Sequence, residues 1–387
     1  MNSKQFETAK MCLKVVTPIN ISDGIVLGAK DYLYDSRRQK VFFLNLHQWH
    51  MFIYKHMLLE KYESYLANFR DKQSLLEWLR MQGYDIDDVR TVITSEAQAT
   101  VNLMDNEKKK TLNDINRHIQ QPDGSLYVPG SSIKGVFRTA ILYSLLQKRQ
   151  DIKVKYWRQI QEKISSNYFK PYRDFNKLIS DLENELLHTL RLVDGDIHSN
   201  NAVYSAMRGL QVSDTYASRN MQTAILQKVD GGFDKFGKAS PKKLPIFREC
   251  MLPKAELFFD VKIEKAVMST IGINTVDDLL KATHSFFAAV TDLLQQAFEK
   301  EYQEAFQGVA AGNMFLGGNT GFLSKTLLAM LAPDKDTAKN TIKVLLDKSF
   351  KNHKHLLRDK IIAPRTLKCT NYNGKLMLMG VAEVRKV

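Results

Sequence analysis

The chain has 387 residues, 44% of them hydrophobic and 25% charged, enough to bury a sizeable core and too apolar for a disordered protein. Fifty-six Lys and Arg stand against forty-two Asp and Glu, and the formal charge of +14 favours a polyanionic partner, nucleic acid first. The sequence has no apolar run of about 18 residues, no signal-peptide core at its start, and cysteines (Cys12, Cys250, Cys369) too scattered for a disulfide framework or zinc ribbon, so a cytoplasmic protein with reduced thiols and no membrane partner is expected.

Met11–Val16 is apolar and β-branched and predicts the first strand, entering a loop at Ser22-Asp-Gly24. Val41–Leu46 predicts another strand after the polar turn 36–40. From His47 to about Gln121 the apolar spacing is helical, as in Leu58, Tyr62 and Leu66, then Leu75, Leu76 and Leu79. This segment has the character of an insertion, which either packs or docks a neighbour.

Leu126-Tyr-Val-Pro-Gly-Ser-Ser-Ile-Lys-Gly-Val-Phe-Arg138 predicts a short strand, a Pro129-Gly130 turn and a helix capped by Ser131 or Ser132. Lys134 and Arg138 share one face four residues apart, so a phosphate at the helix start would meet backbone NH groups and two cations. The same residues also fit an ordinary amphipathic helix with both cations solvated.

Residues 151–192 look helical and Val203–Val212 returns to strand. Residues 213–245 are rich in turn formers and carry Lys235, Lys238, Lys242 and Lys243, the pattern of either a projecting hairpin or a solvated loop. Leu257–Ile263 predicts a strand, and residues 275–306 an amphipathic helix.

Gly317-Gly318-Asn319-Thr-Gly321-Phe-Leu-Ser-Lys325 departs from a nucleotide-binding P-loop because Ser324 stands where glycine must precede the lysine. Its glycines instead let backbone approach an RNA phosphate or a packed neighbour. Gly321 precedes Lys325 by four residues, as Gly130 precedes Lys134, which suggests a second helix start. Lys343, Lys348, Lys351, Lys354, Arg358 and Lys360 form a basic run on an expected helix, either a solvated face or an RNA backbone track. Asn373-Gly374 between two apolar runs predicts a closing hairpin.

His47 with His50, and His353 with His355, lack an adjacent carboxylate cluster or Cys ligands and are read as surface or core histidines. Neither a metal nor a cofactor is expected.

Val128-Pro-Gly-Ser-Ser-Ile-Lys-Gly-Val-Phe-Arg138 closely resembles the Pro-Gly-Ser-Ser-(Leu/Ile)-Lys-Gly-x-x-Arg signature of the RAMP superfamily, the RNA-binding proteins of CRISPR effector complexes. Lys14–Gly24 and Gly28–Asp35, Leu210–Thr215, and Phe315–Gly321 resemble further segments of the fifth-subunit family of type III-A (Csm) complexes, with Asn20 departing from a frequent His. The resemblance implies an α+β protein of two RRM-like halves: residues 1–212 with a helical insertion at about 47–121, and residues 213–387 with a projecting basic loop at about 213–245, similar to a RAMP thumb.

By the same resemblance the chain is a non-catalytic, RNA-binding cap near the crRNA 3′ end that assists crRNA maturation. It implies crRNA, target RNA, other Csm subunits and host nucleases as partners. The expected RNA-binding residues are Gly130, Ser131, Ser132, Lys134, Arg138, Gly317, Gly318, Asn319 and Lys325. Asp31 lies in a loop resembling that of the RNA-cleaving RAMP subunit, so a metal-dependent ribonuclease using Asp31 is one alternative. A metal-free ribonuclease using a histidine, or a docking module without RNA contact, are the others.

Overall fold

The computed structural model describes residues 5–68, 73–100, 112, 114–166, 168–191, 201–217 and 221–387. The strand Phe6–Val15 sends Met11, Leu13 and Val15 into the core by simple alternation. It pairs antiparallel with Glu256–Glu264 on one side and with Val381–Lys386 on the other. Leu210–Val212 extends this first sheet beyond Glu256–Glu264, and Met314–Phe315 extends it beyond Val381–Lys386.

Two helices share the core of this sheet. Gly130–Lys148 contributes Phe137 and Ile141, and Val276–Tyr302 contributes Phe286 and Val290, to the cluster that contains Met11, Leu13 and Phe259. In chain order the set reads strand, helix, strand, strand, helix, strand, the ferredoxin-like pattern. Thr275 and Asp278 form a capping box that starts the second helix one residue after the predicted 275.

The second sheet is built from segments between those elements. Its order is Val26–Leu27, Ile115–Asn116, Lys242–Met251, Thr223–Gly231, Ile93–Thr100, Lys40–Leu44 and Tyr32–Asp35, with the hairpin Leu367–Tyr372/Lys375–Leu378 joined to Thr223–Gly231. Asn373 and Gly374 have φ of 51° and 75°, the left-handed pair that a two-residue hairpin turn needs. The expected boundary at residue 212 therefore falls between paired strands, because the first sheet takes both ends of the chain and the second takes strands from either side of 212.

Several local readings need correction. Residues 47–121 are helical only in part: Leu46–Lys55, Leu59–Ala67 and Leu75–Met81 pack Trp49, Tyr62, Trp78 and Leu79 into a satellite core, and Ile93–Thr100 then joins the second sheet. Leu126 makes only an isolated bridge to Gln120, so no strand precedes the Pro-Gly turn. Residues 213–245, by contrast, take the hairpin of their two readings: Thr223–Gly231 pairs with Lys242–Met251, while Phe233, just before the 234–238 turn, stacks on Phe298. The basic run is not one helix, since Lys335–Ser349 ends at Phe350 and short turns follow. Cys12, Cys250 and Cys369 are buried and unbridged. Among the described residues no helix is long and apolar enough to cross a membrane.

Candidate nucleic-acid interface

The Pro-Gly-Ser-Ser turn docks onto the 210–215 segment. Gly130 is buried, and a Cβ there would lie 2.3 Å from the Val212 carbonyl oxygen, so only glycine permits the approach. Val128 N donates to Thr215 Oγ1 at 2.8 Å, and Gly130 N donates to Asp214 Oδ1 at 2.7 Å. The anion at this helix start is thus the chain's own carboxylate.

Pro129 is the cap residue and has no side-chain cap bond to give, so the Asp214 carboxylate serves the helix start instead, which corrects the expected role of Ser131 or Ser132. Lys134 Nζ donates to the Leu210 carbonyl at 2.6 Å, and burial lowers its pKa. Arg138 pairs with Glu183 at 3.3 Å and keeps half of its side chain exposed. Lys134 therefore ties the helix to the strand, against the expectation of a side chain turned outward. Ser131 and Arg138 remain on the surface.

The glycine-rich loop lies at the seam of the two sheets. Gly318 N donates to the Asn20 carbonyl at 2.7 Å, while Ile19 bridges to Met251 on the second sheet. Gly317 has φ 89°, and a Cβ there would come within 2.3 Å of the Asn20 oxygen. A Cβ on Gly318 would approach Arg248 Nη1 to 2.9 Å. Buried Asn20 holds the seam through Nδ2 to the Glu249 carbonyl at 2.8 Å, and its Oδ1 accepts from Arg248 Nη1 at 2.9 Å. Asn319, at φ 60°, directs Nδ2 to Met379 Sδ. Lys325 ends a short 3-10 turn, Leu323–Lys325, so the expected second helix start is absent here.

Around this loop stand Lys228, Arg248, Lys325 and Lys368. Asp230 is 2.9 Å from Lys368 Nζ and 3.8 Å from Lys228 Nζ. Arg248 Nε is buried without a partner, and Lys325, which keeps access to solvent, has no ion-pair partner among the described residues. Burial lowers the pKa of Lys228, Arg248 and Lys325. Like charges add to the effect, Lys368 and Arg248 acting on Lys228, and Arg248 on Lys325. Positive charges held this close repel one another, and an anion seated among them would relieve the repulsion.

Sequence reading singled out Gly317, Gly318, Asn319 and Lys325 as candidates and did not single out Arg248, Lys228 or Lys368, which the fold brings beside them. Their signal was period-two alternation: Leu226, Lys228 and Asp230 share one face of their strand, Arg248 opposes Leu226, and Lys368 opposes Asp230.

The catalytic candidates are held in structural contacts. Asp31 Oδ2 accepts from Gly28 N at 2.7 Å, and Asp31 N donates to the Gly28 carbonyl, closing a loop turn. No group of three or more metal-ligating side chains occurs among the described residues. His47 and His50 are exposed on their helix. His355 does have a carboxylate partner that sequence reading missed: Asp359, one helical turn on, meets its Nδ1 at 2.7 Å and also takes Arg365 Nη1 at 2.6 Å.

The model of the RAMP superfamily matches residues 12–322. Over 98% of this chain and 97% of its own length, a protein of Mycobacterium tuberculosis named "CRISPR system Cms protein Csm5" is 26% identical, and one of the same name from Enterococcus italicus is 22% identical over 88% and 85%. Among solved structures, a chain of a Csm–crRNA–target RNA ternary complex of a type III-A CRISPR-Cas system superposes with TM-score 0.68 at 18% identity, covering 98% of this chain and 100% of that one. The crystal structure of T. onnurineus Csm5 gives 0.61 at 19%, covering 96% and 99%. With a whole-chain α+β fold, the docked Pro-Gly-Ser-Ser turn and a family match over most of its length, the chain belongs to the RAMP superfamily.

Proposed function

We propose that this chain is a Csm5-type subunit of a type III-A CRISPR complex that binds RNA without cleaving it, capping the backbone near the crRNA 3′ end and assisting crRNA maturation. The observation that carries the reading is the cluster of Lys228, Arg248, Lys325 and Lys368 round the glycine-rich loop, with one carboxylate among four cations. Backbone at Gly317 and Gly318, the side chain of Asn319, and on the other motif Ser131, Ser132 and Arg138, supply further contacts. Lys134 and Gly130 act by fixing the turn that presents them. Phosphate contacts suit a guide whose spacer varies, because they hold RNA whatever its bases. The partners in this reading are crRNA, target RNA, the other Csm subunits and the host nucleases that trim the guide.

The test is titration of labelled RNAs of unrelated sequence at several salt concentrations. Four phosphate-neutralising cations give a log–log salt slope of about −3 on single-stranded RNA, and Arg248→Ala with Lys325→Ala should reduce it to about −1.5. The same double variant should weaken binding by about tenfold or more at low salt, each lost charged hydrogen bond being worth about 1.5–3 kcal/mol. A cooperatively melting double variant with unchanged affinity and slope would exclude this site.

A further inference from the structure

The corner of the chain after the Lys335–Ser349 helix combines two features that solvated loops do not share. Phe350, Leu356, Leu357 and Ile361 are 53%, 52%, 71% and 51% exposed. Lys351, Lys354, Arg358 and Lys360, set between them, are all exposed, and none has an ion-pair partner among the described residues. The corner is also held in place. His355 is buried, with Nδ1 2.7 Å from Asp359 Oδ2; Arg365 Nη1 donates to Asp359 Oδ1 at 2.6 Å; and Leu356 N donates to Asp347 Oδ1 at 3.2 Å. A rigid presentation of adjacent leucines to water is a cost that a partner surface explains.

Beside Ile361 lies an open cavity of about 240 Å³ lined by Leu293, Ala297, Ala329, Ile342 and Ile362, with Lys335 and the Lys339–Asp336 ion pair also in its lining. It has room for one apolar anchor side chain.

We infer that this corner is a docking site for an acidic amphipathic segment of a protein partner, leucines and cavity taking its apolar face and the four cations its carboxylates. RNA fits less well, because aliphatic side chains offer no stacking plane for bases and Phe350 is the one exposed aromatic ring of the four apolar residues. The charge complement also sets the sign of the partner: a basic segment would leave four like charges facing its own. The exposed corner, residues 350–361, lies outside the glycine-rich loop in sequence, while Leu323, two residues before Lys325, joins the lining of the cavity.

The experiment uses the purified full chain and a fluorescent helix-forming peptide with leucines at three- and four-residue spacing and glutamates elsewhere. Binding that weakens with salt is expected, with a loss of about tenfold or more in Leu356→Ser with Leu357→Ser, and a similar loss in Lys351→Glu with Lys354→Glu and Arg358→Glu. All five positions are exposed, so circular dichroism and melting should match the wild type. Failure of the acidic peptide to bind, or binding indifferent to the leucine pair, overturns the inference. Labelled RNA and anionic vesicles are run in parallel. If the charge-reversal variant loses RNA while the leucine pair retains peptide, the corner is an RNA track; leucine-dependent vesicle binding without peptide binding makes it a membrane-surface contact. Either result overturns the protein-docking site.

Discussion

His118 is fully buried, its Nδ1 meets the Ile119 carbonyl at 2.8 Å, and its Nε2 has no partner among the described residues. Burial pushes its pKa down from 6.5 to about 4, against smaller opposing contributions from that carbonyl and from Asp23. The neutral ring is therefore the folded form. Above 6.5 neither state binds a proton there; between 6.5 and about 4 the unfolded chain does and the folded one does not, so stability falls as pH drops through that window. The full difference of about 2.5 pH units corresponds to roughly 3 kcal/mol. Buried Glu249, whose Oε2 accepts from His118 N, works the other way, since burial raises its pKa and protonation favours the folded state. Comparing wild type with His118→Gln separates the two: chemical unfolding from neutral pH downward should show the wild type losing up to roughly 3 kcal/mol relative to the variant. A pH-independent difference between them would show that the ring binds its proton as readily in the folded chain as in the unfolded one. Nothing in the sequence marks His118, because burial of a single ring depends on the strands that close over it.

At the scale of elements, the Pro-Gly-Ser-Ser turn and the 210–215 segment behave as one unit, since Gly130 lies against the Val212 and Ser213 carbonyls and Val128 exchanges hydrogen bonds with Thr215. Gly130→Ala would drive a Cβ to 2.3 Å from backbone oxygen, where no flexible side chain can yield. The expected loss is about 1–3 kcal/mol, read as a lower denaturant midpoint. Gly135→Ala is the control: a Cβ there would meet no atom within 4 Å, and in a helix interior alanine is favoured over glycine, so that variant should gain stability. Equal behaviour of the two variants would mean that the close approach is absent. Both glycines stand in the same motif, and local pattern alone cannot separate them. Other elements show what local pattern does carry. The Val276–Tyr302 helix is legible because Thr275, Asp278 and a continuous apolar stripe agree. Ile93–Thr100 is not, because its buried face is made of Ala97 and Ala99, which mark neither strand nor helix, and its place comes from pairing with Lys40–Leu44 and Thr223–Gly231. The basic run reads as one helix because lysine favours helices, while the break at Phe350 and the buried Asp359, held by His355 and by Arg365 beyond the run, leave no mark in its spacing.

For the whole molecule, the central strand of the first sheet begins near residue 6, and its two neighbours begin at Glu256 and Val381. The second sheet repeats the arrangement, with Lys40–Leu44 and Ile93–Thr100 leading into Thr223–Gly231 and Leu367–Tyr372. Such pairings join segments from tens to hundreds of residues apart, and no short window of sequence contains both partners; composition and motif could therefore give α+β class and the family, but not which segment closes which sheet. The interleaving makes a sharp prediction about the division into residues 1–212 and 213–387. A fragment of residues 1–212 keeps Phe6–Val15 but loses both strands that flank it, leaving unpaired backbone donors and acceptors along each edge and exposing Met11, Leu13 and Val15. The 213–387 fragment keeps the Val276–Tyr302 helix but loses the Gly130–Lys148 helix against which it packs. Each fragment made alone should therefore lack a cooperative thermal transition and exchange its strand amides rapidly, while the two mixed from denaturant should recover both properties together. A fragment of residues 1–212 that melts cooperatively on its own would mean that the N-terminal half closes its own sheet, and the arrangement in which both chain ends complete one sheet would have to be abandoned.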